Sequence, residues 1–509
     1  GNINRSATMN TSSKIALIAA AAVSTVTFQS CTDLEETIYE DITADNFFSS
    51  EGDYYSVLVN AYGNLRPWLW SYYNVSQVSS DETIVPTRGG DWGDGGVWRE
   101  LHMHNWSPTN GHIVGLWNDA NKGLAQTNQF IFDLMDADDA LFSGSNKATY
   151  MAEAKVLRAY YYFQLMDFFG GVPILESAAI DPANLPARNT RAEVFAFIKS
   201  ELQSAIPDLE ASHAADQYGR VTKGAANGLL ARLLLNAEVY SGTADYAGAK
   251  AACDAVINSG EYSLEADYHD NFTPSNDGSS EAVFVIPNLN EGGMGLTVHM
   301  RTMHYNQLPS SPWNGFCTLA DFYNTFDTAN DARSDIFLVG QQYDDAGNAL
   351  TDRQGNPLSF TASLPGITGA TETDGIRVLK WAVDNAAAGG DAQNDLAVVR
   401  YADVLLMKAE CLLAEGDETG ALAIVNDIRA RAGATARTSL SMDDLLEERG
   451  FELAWEAVRR MDLIRHGKFT DAWELKEVTG EDYVKLMPIP FSALGANPNL
   501  EQNPGYPAE

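Results

Sequence analysis

The chain has 509 residues, 45% of them apolar and 20% charged, a composition that excludes extensive disorder. Its 69 acidic residues outnumber 33 basic ones, leaving a net charge of −36. A field of that sign repels phosphate backbones and anionic headgroups, so nucleic-acid binding and polybasic membrane docking are disfavoured.

In chain order, the first predicted element is an export signal over residues 1–30. Ile15 to Thr27 (IALIAAAAVSTVT) is a short apolar run behind Lys14. It falls well below the ~20 residues that a membrane-spanning helix needs. Ser30 precedes Cys31, and the acidic Thr-Asp-Leu-Glu-Glu follows it. That arrangement resembles a bacterial lipobox, in which the cysteine thiol is lipidated after cleavage. The sequence therefore predicts a lipid anchor at Cys31, a tether over 31–45 and a single domain over 46–509. The residues before Met9 read as extraneous.

Residues 66–117 are rich in Gly, Asn, Asp, Pro and aromatics, and hold six of the ten tryptophans. Trp92 and Trp98 belong to Thr87-Arg-Gly-Gly-Asp-Trp-Gly-Asp-Gly-Gly-Val-Trp98, whose five glycines give little local means of burying two indoles. Indole faces stack on the C–H face of a sugar ring while charged and amide groups fix its hydroxyls, so this loop has the parts of a glycan site. Packing of both indoles back onto the scaffold is the competing reading. Trp68, Trp106 and Trp117 sit in more apolar surroundings and are expected in the core.

Met151 to Phe169 is apolar on nearly every face, which predicts a buried helix ended by Gly170-Gly171 and Pro173. Thr222 to Tyr240 and Tyr246 to Asn258 predict a helix pair, broken at Gly242 and closed by Gly260. A second pair is predicted at Val398 to Glu415 and Gly420 to Arg431. Such pairs look like tetratricopeptide units, without the tandem period of a regular array. A last helix is predicted over Asp443 to Arg465, capped by Asp443 or Asp444, with Glu456 pairing Arg459 and Arg460. Residues 260–395 read as loops, with short strands at Val283 to Ile286 and Arg377 to Trp381. The fold class is thus mainly α: tetratricopeptide-like helix pairs form a scaffold, mainly over 120–260 and 396–470. A loop-rich irregular half, 66–117 and 260–395, packs on it.

Cys253 and Cys411 fall in helical patterns and are expected as buried, inert thiols, whereas Cys317 lies in the loop Ser310-Ser-Pro-Trp-Asn-Gly-Phe-Cys-Thr318. GxSxG, HExxH, GxxxxGK[ST] and GxGxxG are all absent. The pair His102 and His104 reads as hydrogen-bonded or surface histidines rather than metal ligands. Asp81-Glu82 and Asp91/Asp94 are spaced for a glycosidase acid and base, a coincidence expected among so many carboxylates.

RAYYYFQLMDFFGGVPI (158–174), VVRYADVLLMKAECLLAEG (398–416), LLEERGFELAWEAVRRMDLIRHGKF (445–469) and the tail PIP…NPNLEQNPGY (488–506) resemble the SusD/RagB family. Its members are glycan-binding outer-membrane lipoproteins of Bacteroidetes. The resemblance implies four tetratricopeptide-like helix pairs against a loop-rich half, and a non-catalytic role. Members lid a SusC-like TonB-dependent transporter, capture an oligosaccharide and deliver it for import. Asp33-Leu-Glu-Glu36 is similar to the family's surface-export tag, although Leu34 interrupts it. The SDE…PTRGGDW and WNGFC loops look like a branch that includes fructan binders, in which a first-loop tryptophan and the second-loop cysteine touch ligand. That implies Trp92 or Trp98, with Cys317, as central contacts. Asp81, Arg88, Trp313 and Arg377 are flanking candidates on their chemistry alone. No cofactor is expected; a structural calcium ion fits the acidic composition but is not predicted. Two rival readings stand: a surface glycoside hydrolase using carboxylates from residues 81–119, and a peptide-import or scaffold partner.

Overall fold

The apolar segments fold as packed helices in the computed structural model of the protein, which describes residues 47–175, 180–383 and 389–508. The chain divides into two compact units, residues 1–49 and 50–509. The export signal, Cys31 and the tether lie outside the described residues. All elements named below belong to the second unit.

Its N-terminal helices are α1 (Glu51–Gly63), α2 (Tyr72–Val78), α3 (Val97–Met103) and α4 (Gly111–Met135). Three of these fall wholly or partly within 66–117, where the sequence predicts mainly loops. Every residue of α2 is buried, so it shows no amphipathic period. The start of α4 is set by Asn110, whose side chain accepts from the backbone N–H groups of His112 and Ile113.

α5 (Asn146–Phe169) is the all-apolar helix predicted from 151, buried almost throughout its length. It packs between α4 and α6 (Arg191–Ala205). Gly123 of α4 permits that approach, because a Cβ there would sit 2.4 Å from the Tyr161 ring. The polar interruptions in α5 are matched: Arg158 meets Glu201 at 2.6 Å, and Asp167 accepts from Tyr240 and Arg460, each at 2.9 Å.

α7 (Lys223–Leu235) and α8 (Ala237–Ser241) replace the single helix predicted over 222–240. Asn236 separates them, donating to the Arg232 carbonyl and accepting from Arg465. α9 (Tyr246–Asn258) packs on α7, and on α12 (Tyr401–Ala414), which in turn carries α13 (Glu418–Arg431). Between them come two short helices, α10 (Val298–Thr302) and α11 (Ala320–Tyr323). The helix predicted from Val398 starts only at Tyr401. The β-branched stretch before it forms strand β10 (Leu396–Arg400), antiparallel to β3 (Ala282–Ile286).

The last predicted helix is two: α14 (Met442–Leu453), begun by a Ser441–Asp444 capping box, and α15 (Arg459–Arg465). Between them Trp455 and Ala457 take positive φ (64° and 62°), which an alanine or tryptophan adopts only under outside constraint. The constraint comes from α2 and the segment after it. Trp455 N–H donates to Glu82 and Ala457 N–H to Gln77, while Tyr73 and Ser76 donate to the Trp455 and Ala457 carbonyls. Side chains remote in sequence thus replace the intrahelical bonds.

The loop-rich half is laced by short ladders among β1 (Thr83–Ile84), β2 (Thr87–Arg88), β4 (Cys317–Thr318), β5 (Phe337–Leu338), β6 (Gly340–Gln341), β7 (Ser359–Phe360), β8 (Thr368–Ala370) and β9 (Arg377–Val378). The pairs are β1–β4, β2–β8, β5–β9 and β6–β7. Among the described residues no helix is long and apolar enough to cross a membrane.

Scaffold and loops join through buried ions. Arg400, at the head of α12, pairs with Glu281, Glu452 and Glu456 at 2.7–2.9 Å. Glu452 also meets Arg333 and Arg431, Arg333 binds Asp331 and Glu448, and Lys380 meets Glu456 at 2.6 Å. Glu456 therefore faces Arg400 and Lys380, not the Arg459 and Arg460 predicted one helical turn on.

Two expectations follow. Removing one member of such a network strands its partners in a medium that solvates them poorly, at a cost of about 3–5 kcal/mol. Glu452→Ala is expected to lower the urea unfolding free energy by that amount; a loss under about 1 kcal/mol would show the network to be dispensable. Glu82 is pushed up to about pKa 7, chiefly by burial, with Arg459 opposing. Folded Glu82 therefore keeps its proton to about pH 7, whereas the unfolded carboxyl releases it near 4.5, so ionisation penalises the fold progressively from pH 4.5 to 7. His102 and His112, brought down to about 4 by burial, act in the opposite direction below pH 6.5. Comparison with Glu82→Gln isolates the carboxyl: the variant's stability relative to wild type should rise by up to about 3 kcal/mol between pH 5 and 8. A difference that stays flat with pH removes the assignment.

Candidate functional site

Two tryptophan loops far apart in sequence are brought together by the β1–β4 ladder, where Ile84 faces Cys317. That register places the loop following β2 beside the segment preceding β4. The first loop turns tightly, Arg88 and Asp91 exchanging backbone hydrogen bonds of 2.9 Å. Both loops hold residues at unfavourable positive φ: Trp92 (62°) and Asp94 (39°) in one, Ser311 (52°) and Asn314 (55°) in the other. Strain of this kind persists only where surroundings over-determine it, and it collects at ligand sites.

The determinants are visible. Trp92 Nε1 donates to the Trp313 carbonyl at 2.7 Å, stitching loop to loop. Its ring lies on Gly315, where a Cβ would come within 2.3 Å of the indole, and meets Phe316 edge-on at 5.8 Å. Trp313 stacks on Trp70 with centroids 5.9 Å apart and planes 28° from parallel. Trp70 itself is 47% exposed. Trp92, Trp313 and Tyr305 line an open hollow of about 590 Å³ together with Asp91, Asp94 and Ser311.

Its polar groups are held in place. Tyr305 donates to Asp91 at 2.5 Å, and its hydroxyl is pushed up to about 12 by burial and by that carboxylate. Arg353 lies 3.9 Å over the Tyr305 ring and reaches Asp91 and Glu372 at 3.3 and 2.6 Å. Glu372 is also 2.9 Å from the buried His304.

Beneath this surface lie three arginines of one kind. Among the described residues nine arginines are buried, and six of them meet carboxylates. Arg88, Arg301 and Arg377 instead spend their donors mainly on backbone carbonyls and asparagines. Arg88 holds the Thr371 and Asp374 carbonyls at 2.7 Å, and Arg377 holds Asn314 and the Glu372 carbonyl at 2.7 and 2.8 Å. Arg301 binds Asn74 and the Leu69 carbonyl and lies 4.4 Å under the Trp70 ring. Burial lowers the guanidinium pKa of all three, that of Arg301 to about 10. These side chains are the floor on which the loops rest.

The predicted site residues are therefore sorted by burial. Trp92 and Trp313 are half-buried and present ring surface to the hollow. Trp98 is only 6% exposed, donates to Asp94 at 2.7 Å, and packs against His112 and Phe316, so it supports the loop from below. Cys317 is fully buried, with Sγ 3.6 Å from Arg88 and 3.7 Å from the Ile84 carbonyl, out of reach of any ligand in the hollow. Arg88 and Arg377 are buried as described and cannot flank a bound molecule. Asp81 grips Arg459 through both oxygens and lines a different hollow with Phe322 and Trp473. His102 and His104 are buried, each bound to a backbone carbonyl, of Glu474 and Ser79 respectively. Trp68, Trp106, Trp117, Cys253 and Cys411 lie in the core.

Sequence reasoning missed Trp70, Tyr305 and Arg353 as site residues. Tyr305 stands eight residues before Trp313 in one Gly/Pro/Asn-rich loop, which is the signal available for it. Nothing local marks Arg353, whose partners are Asp91 and Glu372.

Comparison with known proteins agrees with this architecture. A family model described as the SusD family matches residues 260–506, and one described as "Starch-binding associating with outer membrane" matches 56–235. The starch-binding protein SusD of Bacteroides thetaiotaomicron is 27% identical, over 85% of each chain. SusD-like protein P25 of Formosa agariphila is 26% identical over 94% of this chain and 97% of its own. A SusD-like protein of Bacteroides fragilis superposes with a TM-score of 0.77 at 21% identity, covering 91% of this chain and 99% of that one. Surface glycan-binding protein A of Bacteroides thetaiotaomicron, solved with laminarihexaose, gives 0.73 at 23% identity over 89% and 100%. With both the loop-rich and the helical parts matched, the chain belongs to the SusD/RagB family.

Proposed function

We propose that this protein is a non-catalytic, lipid-anchored glycan-binding protein of the outer-membrane surface. It captures a neutral oligosaccharide and passes it to a SusC-like TonB-dependent transporter. The observation that carries this reading is the set of rings Trp313, Trp92 and Tyr305 bordering an open hollow, with Trp70 stacked on Trp313. The Trp92 N–H is spent on the Trp313 carbonyl, which holds the ring on Gly315 at the border of the hollow. Asp91, Asp94 and Arg353 are placed to exchange hydrogen bonds with hydroxyls. Relatives named for starch binding, and a neighbour solved with laminarihexaose, support the ligand class. Carboxylates on the wall weigh against an anionic sugar. Anchoring at Cys31 and hand-over to a transporter rest on the family resemblance.

The hydrolase reading is weakened because the carboxylates of this hollow are already engaged. Asp91 accepts from Tyr305 and Arg353, and Asp94 from Trp98. Incubation with starch, laminarin and inulin-type fructan is expected to yield no product, and efficient turnover would replace the binding reading.

Calorimetry against malto-, laminari- and inulo-oligosaccharides identifies the ligand. Truncating a ring at the centre of a binding surface costs about 2 kcal/mol, roughly 30-fold in Kd, so Trp313→Ala and Trp92→Ala should each weaken binding by that order. Cys317→Ala, lying beneath the floor, should leave Kd within about threefold of wild type. Equal losses in all three variants would place the ligand elsewhere. Gly315→Ala should displace the Trp92 ring and weaken binding while circular dichroism stays that of the folded protein.

A further inference from the structure

A hollow larger than the one beside the tryptophans lies on the other side of the same loop. It encloses about 1090 Å³ and is bordered by Met303, Gln307, Leu308, Pro309 and Ser310 on one side, and by Leu338, Gln342, Tyr343 and Leu379 on the other. The chain from Met303 to Trp313 is a wall shared by two hollows. Met303 and Gln307–Ser310 face this one, whereas Tyr305 and Ser311–Trp313 face the aromatic platform. At the Ser310–Ser311 peptide the two meet, and consecutive Cα atoms are only about 3.8 Å apart.

We propose that this hollow is a second binding locus for the same neutral glycan, engaged by chains long enough to pass from the platform over the Ser310–Ser311 ridge. The inference rests on the glycan-binding reading above and extends it to chain length. Four observations carry it. The volume exceeds what a single sugar unit fills and lies at the upper end for ligand sites. The walls alternate apolar surface, from Leu308, Pro309, Leu338 and Leu379, with the uncharged polar side chains of Gln307, Ser310 and Gln342, the last buried and held by Gln307 and the Gly340 carbonyl. Tyr343 is 60% exposed at the rim and offers a ring face without any packing role for it in the core. Among the described residues lining the space Lys380 is the only lysine or arginine, and it is buried and spends its ammonium on Glu456 and the carbonyls of Glu452 and Ala454. The rim carries Asp344 and Asp345, so an anionic chain is disfavoured and an uncharged one is not.

Two contacts on one chain multiply. Once the platform holds a glycan, its far end meets the second locus at an effective concentration in the millimolar range, and even weak stacking there raises overall affinity. The device would favour polymer over short fragments without any change at the platform.

The test is isothermal titration of malto-, laminari- and inulo-oligosaccharides of two to eight units against wild type, Tyr343→Ala, Gln307→Ala and Trp313→Ala. For the sugar that binds, affinity should climb again beyond the length that saturates the platform. Tyr343→Ala and Gln307→Ala should each abolish that second rise, at least fivefold for the longest chain, while leaving the shortest binder unchanged. Trp313→Ala should weaken every length. Tyr343 is exposed, so its variant folds, and a melting temperature equal to wild type confirms it. Unchanged length dependence in Tyr343→Ala, or equal loss at all lengths, overturns the second locus and leaves the platform standing. If wild type binds none of the ladders, the glycan reading falls and this inference with it.

Discussion

The fold depends on a knot of buried charge at the head of α12. Arg400, Arg333, Arg431 and Lys380 face Glu281, Glu448, Glu452 and Glu456 with almost no solvent between them. Such pairs contribute little net stability relative to apolar packing, but each is costly to leave half-made. Their effect is to specify geometry. Glu281 immediately precedes β3, and Arg333 and Lys380 come from the loop-rich half. Arg400 ends β10, Glu456 lies in the break between α14 and α15, and Arg431, Glu448 and Glu452 come from scaffold helices. Only one docking of loops on helices satisfies all of them at once, whereas an apolar interface tolerates sliding.

That docking sets the site. The break between α14 and α15 takes its hydrogen bonds from Gln77 and Glu82, just ahead of β1, so the helical scaffold fixes where β1 lies. β1 fixes β4, and the two tryptophan loops are then neighbours. Arg88, Arg301 and Arg377 finish the arrangement by binding carbonyls of otherwise irregular backbone, for which no regular ladder supplies partners. Their charge is left without a carboxylate in contact, unlike that of the other buried arginines. Positioning the loops is the gain that offsets this cost.

Ligand capture by such a surface needs no reacting group. It needs ring faces that stay exposed despite their hydrophobicity, which means backbone that holds Trp92 and Trp313 at the surface while Trp98 packs beneath. Positive φ at Trp92, Asp94, Ser311 and Asn314 provides that. Gly315 is required because the Trp92 ring lies where a side chain would be.

Much of the scaffold was legible in the sequence because helix periodicity, caps and glycine stops are local properties. α5, α9 and α13 appear close to where apolar spacing puts them, and the core positions of Trp68, Trp106 and Trp117 follow from their apolar neighbours. Concentration of tryptophans in a glycine-rich loop also marked the segment that borders the aromatic hollow. Local pattern could not show that Asn236 and Trp455 interrupt helices, since the Asn236 side chain is held by Arg465 and the backbone groups around Trp455 are taken by Gln77 and Glu82. Nor could it separate Trp92 from Trp98, because exposure of an indole depends on what packs above it, here Phe316 and His112. By sequence Cys317 sits in a loop and Arg377 opens a short strand; by structure both lie in the floor. The chain's own order of residues thus determined the helices, the family and the aromatic-rich segment. Which aromatic faces meet solvent was decided only when long-range ladders and buried ions closed the tertiary structure, because exposure is a property of neighbours in space.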